Sequence, residues 1–186
     1  MKDKQSTQLG NVTTESNDQH EVSLKNENQG GVFRLQTILV PLDFSKFSDK
    51  ALDYALAFGG QFHATLVLLH VVEPVVYPEN YVTVPAVNDD IHTSLLKAAE
   101  TRLAQTSQRL QAEKVKVKTV TRLGRPFTEI TDAAAEYRAD LIVLATHGYT
   151  GLKHVLLGST AERVVRHAPC PVLTVRADER DFVGPG

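Results

Sequence analysis

From Gln36 onward, the hydrophobic positions fall into two alternating patterns. Thr37 to Val40, Ala64 to Val72 and Ala139 to Ala145 are short, nearly unbroken apolar runs, the pattern of strands buried on both faces. Val172 to Val175 is a fourth run of this kind, preceded by Pro169-Cys170-Pro171. Val115, Val117, Thr119 and Thr121 instead alternate with Lys114, Lys116, Lys118 and Val120, which predicts a half-exposed strand near a sheet edge.

Between these runs the apolar spacing becomes helical. Ala51, Ala55, Phe58 and Phe62 follow the capping candidates Ser45 and Ser48, with Gly59-Gly60 marking the expected end of the helix. Leu95, Ala99, Leu103, Thr106 and Leu110 predict a long amphipathic helix after a proline-bearing loop from Glu73 to Asp90. Ile130, Ala133, Ala134 and Tyr137 share a face behind Pro126, which suits a first helical position. A last helix is expected from about Ser159 to His167. The order β-α-β-α-β-α-β-α-β predicts a single α/β domain: a doubly wound, Rossmann-like, five-stranded parallel sheet of order 3-2-1-4-5 with helices on both faces.

That domain is expected over residues 34–178. Residues 1–33 are rich in Gln, Asn, Ser, Thr, Asp and Glu, carry too little apolar area to offset chain ordering, and read as a disordered polar tail ending near a Gly30-Gly31 hinge. Residues 179–186 form a short second tail. Across 186 residues, 42% hydrophobic and 23% charged, a sizeable core can form, and a net charge of −2 argues against a dominant footprint for nucleic acid or anionic lipid. The single cysteine, Cys170, allows no internal disulfide or Cys-based metal cluster. His63, His70 and His92 lack metal-ligand spacing, and no serine sits in a nucleophile elbow. With no long apolar run and no apolar signal core at the N-terminus, a soluble, cytoplasmic protein is the expectation.

In such a sheet, ligands bind beyond the carboxyl ends of the strands where the strand order reverses, here between strands one and four. Pro41-Leu42-Asp43 and Thr146-His147-Gly148 follow those two strands. Gly158-Ser159 then opens a helix whose first amides lack partners and whose dipole favours an anion. Lys153 and His154 lie in the intervening loop.

Gly148, a nine-residue spacer and Gly158-Ser159 resemble the nucleotide signature of the universal stress proteins. Ile38-Leu39-Val40-Pro41-Leu42-Asp43, Leu69-His70-Val71-Val72 and Ala168-Pro169-Cys170-Pro171-Val172 extend the resemblance over about residues 36–176. The signature's first glycine is Ala145 here; a left-handed backbone at that position would cost an alanine roughly 1–2 kcal/mol. The resemblance implies ATP, ADP or AMP, with Mg²⁺ offsetting phosphate charge. It implies Pro41, Leu42 and Val71 as walls of an adenine pocket, Asp43 on the ribose and adenine side, and Leu144 and Ala145 at the end of strand four. His147, Gly148, Gly158, Ser159 and Thr160 would then lie around the phosphates.

Each has a plainer reading. Asp43 fits a cap of the first helix, His147 and Gly148 fit a local turn, and Ser159 with Glu162 fits a capping box. The function implied is an adenine-nucleotide switch in stress response or signalling, with at most slow ATP hydrolysis; the alternative is a nucleotide-free, homodimeric interaction module of the same fold. A phospho-acceptor receiver domain shares the topology but needs an aspartate closing its third strand, where Arg122-Leu123-Gly124 stands. The final strand, residues 171–176, is expected at an edge and to pair with a second copy.

Overall fold

The computed structural model describes residues 34–74, 85–146 and 157–176. The proposed tails and the Gly30-Gly31 hinge lie outside the described residues, as do His147, Gly148, Lys153 and His154. The elements are β1 (Thr37–Pro41), α1 (Lys46–Phe62), β2 (Thr65–Val72), α2 (Pro85–Leu110), a short 3-10 turn (Gln111–Glu113), β3 (Lys116–Leu123), α3 (Pro126–Glu136), β4 (Leu141–Ala145), α4 (Ser159–His167) and β5 (Val172–Val175). The five strands form one parallel sheet in the order β3-β2-β1-β4-β5, as the apolar runs predict.

Alternate strand residues feed two separate cores, which is why the runs are continuous. Ile38, Val40, Leu66, Leu68 and Val143 pack toward α1 and α2 with Ala51, Leu52, Ala55 and Leu103. Leu39, Val67, Leu69, Ile142 and Leu144 pack toward α3 and α4 with Ile130, Ala133, Ala134 and Val164. A parallel sheet covered on both faces has no polar side to show, so the period-2 signal vanishes in its central strands. It survives only in β3, whose lysines at positions 116 and 118 are exposed at the sheet edge.

Two boundaries and the exposure of one residue differ from the sequence-based expectation. Gly59-Gly60 does not end α1: the helix continues to Phe62, and His63 terminates it in the left-handed region at φ 55°. Gly59 is instead a packing glycine, since a Cβ there would meet Val115 Cγ1 at 3.0 Å and Leu66 Cδ2 at 3.2 Å. The loop expected up to Asp90 is shorter, because α2 begins at Pro85, a residue suited to a first helical turn. Leu95, placed on the buried stripe of α2, is 41% exposed; burial in this helix is carried by Ala99, Leu103 and Leu110.

The amino end of the sheet is tied by Asp140. Its Oδ2 accepts from the amides of Gln36 (2.7 Å) and Thr37 (2.9 Å), joining the start of β1 to the residue before β4. At the other end of these two strands the structure separates to the two faces of the sheet, with α1 packed into one core and α4 into the other.

Candidate functional site

Beyond the carboxyl ends of β1, β2 and β4 lies a cavity of about 340 Å³, within the range that accepts a small organic ligand. One wall is apolar, from Pro41, Leu42, Val71 and Leu144, with Ile130 of α3 beneath. The start of α4, Gly158, Ser159 and Thr160, also lines the cavity. Asp43 and Glu73 bring carboxylates to the lining. Nine of the eleven residues singled out from the sequence thus meet around one cavity; His147 and Gly148 lie outside the described residues.

The α4 wall is anchored from behind. Gly158 N–H donates to the Thr146 carbonyl at 2.8 Å, and Thr146 N–H donates to Val175 at 2.9 Å, so the turn into α4 is hung on the end of β5. Gly158 is the N-cap, at φ −65° and ψ 154°, and its amide is used by that bond. The helix-start donors are therefore the amides of Ser159, Thr160 and Ala161, which have no intrahelical acceptor and sit at the positive end of the α4 dipole. A side chain at 158 would place its Cβ 3.0 Å from the Thr146 carbonyl, so here the glycine is required by close approach rather than by a special φ.

The capping box expected at Ser159 does not form. Ser159 is the first residue inside the helix, no side chain caps the start, the Glu162 amide donates to the Gly158 carbonyl, and the Glu162 side chain pairs with Arg166 at 2.9 Å. Ala145 ends β4, paired with Val175, and is absent from the left-handed region, so its methyl group carries no backbone strain.

Asp43 acts through Ser45. Its Oδ1 accepts from Ser45 N–H (3.0 Å) and from Ser45 Oγ (2.6 Å), while Ser45 Oγ accepts from Ser48 N–H as the N-cap of α1. The carboxylate is therefore a brace for the cap, held at the cavity wall, rather than the cap itself. Between them Phe44 adopts φ 61°, an uncommon left-handed backbone for a bulky residue. Its ring stacks on His70 at 4.4 Å between centroids, and the Arg102 guanidinium from α2 lies 4.1 Å above it. His70 Nδ1 is 2.6 Å from the Leu42 carbonyl, and because a carbonyl only accepts, Nδ1 carries the proton. Burial pushes the His70 pKa below its ordinary 6.5, with Arg102 acting in the same direction; the Leu42 bond and Asp43 oppose the shift.

His70, Glu73 and Ile130 line the cavity without having been singled out as site residues. A signal existed for His70: it is the one polar residue within the apolar run of β2 after Thr65, and it stands at the carboxyl end where the topology places ligands. No comparable signal marks Ile130, which reads as plain core of α3.

This arrangement, an open parallel sheet with a cavity lined by apolar residues and a helix N-terminus at the strand-order reversal, is that of a Rossmann-like α/β domain. The sequence profile of the universal stress protein family matches residues 34–176. The chain is 36% identical over 146 residues to universal stress protein MJ0531 of Methanocaldococcus jannaschii, covering 77% of this chain and 84% of that protein. It superposes on the solved universal stress protein UspA from Lactobacillus plantarum with TM-score 0.70 and 30% identity, covering 77% of this chain and 99% of that one. A universal stress protein solved in complex with cAMP has the same fold, at TM-score 0.54 and 24% identity. The chain belongs to the universal stress protein family. Among the described residues, no helix is long and apolar enough to cross a membrane.

Proposed function

We propose that this chain is an adenine-nucleotide-binding switch of stress response or signalling that works in the cytoplasm, with the base among Pro41, Leu42 and Val71 and the phosphates toward α4. The observation that carries the reading is the pairing of an apolar wall with a helix N-terminus across one cavity. A base is flat and apolar on its faces, whereas phosphates seek unpaired amides and a positive dipole, so the two walls suit the two ends of one molecule. That the fold accommodates such ligands is supported by the relative solved with cAMP. In this reading Asp43 accepts from a ribose hydroxyl, His147 and Gly148 belong to the phosphate loop, and Mg²⁺ offsets the phosphate charge. The ligand is ATP or its relatives ADP and AMP, held as a signal with hydrolysis slow at most.

The test is to denature the purified protein, assay the supernatant for adenine nucleotide, and titrate stripped protein with Mg-ATP by calorimetry. Bound nucleotide or saturable heat supports the reading. Neither, at millimolar ATP, sinks it and leaves the nucleotide-free dimeric module. Ala145 in the signature's first glycine position is the observation favouring that second reading, and its extended, unstrained backbone weakens the objection.

A further inference from the structure

His70 has a place in the structure that the proposed ligand contacts leave unused. Its ring is gripped on two sides, by the Leu42 carbonyl at Nδ1 and by the face of Phe44, on whose ring Arg102 of α2 also lies. Leu42 and Phe44 flank Asp43. One imidazole thus holds both chain neighbours of the carboxylate that faces the cavity, and it does so across the gap from β2 to the β1–α1 connection. Leu42 N–H is meanwhile bonded to the Leu69 carbonyl at 2.8 Å, so the backbone at Leu42 is fastened to β2 from both its amide and its carbonyl.

We infer that His70 is a positioning residue for Asp43, and that charging its ring at acid pH pulls the Asp43 carboxylate off its brace and weakens ligand binding. The inference rests on the nucleotide reading above. Around the ring the charged groups are Asp43 from the β1–α1 connection and Arg102 from α2, with Glu73 at the cavity rim beyond β2; β3 offers only neutral Thr121 opposite. With the ring neutral, Asp43 Oδ1 accepts from Ser45 and keeps the α1 cap and the cavity wall in register. A positive ring attracts the nearby carboxylate in competition with those two bonds and repels Arg102 across Phe44, loosening the stack that fixes Phe44. The depressed titration of His70 places this change below neutrality, so the site is assembled at neutral pH and released as the surroundings acidify.

The experiment is calorimetric titration of the full chain with Mg-ATP from about pH 7.5 to about pH 5.5, for wild type, His70→Asn and His70→Leu, with the His70 ring followed by NMR in the ligand-free protein. Asn presents an N–H where Nδ1 stood but does not titrate. Wild type is expected to lose affinity by about three- to fivefold over that range, in step with the ring's titration, as a one-unit pKa difference between free and bound forms gives before the pH has fallen below both values. His70→Asn keeps the N–H but loses the ring stacked on Phe44, so it should bind more weakly than wild type at neutral pH yet show a flat profile, whereas His70→Leu should bind more weakly still at both ends. A wild-type profile that is flat, or an Asn variant that falls with pH as steeply as wild type, overturns the inference while leaving nucleotide binding intact. Absence of binding at every pH removes both.

Discussion

Gly158 is held by distance. Its Cβ, if present, would press on the Thr146 carbonyl that its own amide bonds. Gly158→Ala should therefore lengthen or break that bond, lowering stability by about 1–2 kcal/mol, the usual cost of a disrupted, partly buried hydrogen bond. Urea unfolding measures this; an unchanged midpoint would show that the turn accommodates the methyl group. His70 bears on stability through pH as well. Its folded pKa lies below the ordinary 6.5, so the unfolded chain takes up the proton first on acidification. Stability is full above that ordinary value, declines as pH falls through it, and levels off below the depressed folded value. His70→Asn should remove that segment of the stability–pH curve, read by thermal melts across the range. Ser45, Gly158 and Asp43 were visible in the sequence as residue types suited to caps, turns and polar contacts. The Arg102–Phe44–His70 stack was not, because its members come from three elements far apart in the chain.

At the scale of elements, α1 shows how far a local signal reaches. Two glycines in a row read as a stop, but propensity is a weak force against the burial of a helix face on a sheet. Gly59 is buried against Val115 and Leu66, while Gly60 is exposed and a Cβ there meets nothing within 4 Å. Gly60→Ala should stabilise the chain by about 0.5–1 kcal/mol by removing the helix cost of glycine. Gly59→Leu should destabilise it by about 1–3 kcal/mol through overpacking. Chemical denaturation of the two variants side by side checks the pair, and equal effects would contradict the packing account. The failure of the Ser159–Glu162 box is a helix end decided in the same way. Helix ends depend on which backbone groups tertiary neighbours satisfy, and Thr146 had already taken up the Gly158 amide.

For the whole molecule, β5 stands at one edge of the sheet. Pro171 and Val175 carbonyls receive Ile142 and Thr146 amides of the β4 side, so by the alternation of a parallel ladder the N–H and C=O of Thr174 face outward. We propose that residues 171–176 pair with a second copy there. Thr174→Pro removes an outward donor and leaves the β4 ladder alone; it should convert dimer to monomer by light scattering without loss of secondary structure. A variant that remains dimeric would rule out this edge. The sequence by itself determined the class and order of elements, the five-stranded parallel topology and the end of the sheet where chemistry gathers, because unbroken apolar runs admit only a sheet covered on both faces. Tertiary structure alone decided where helices stop, which amides are left open at α4, and that His70 grips both neighbours of Asp43. Those are matters of distance between segments, and a sequence specifies distance only along the chain.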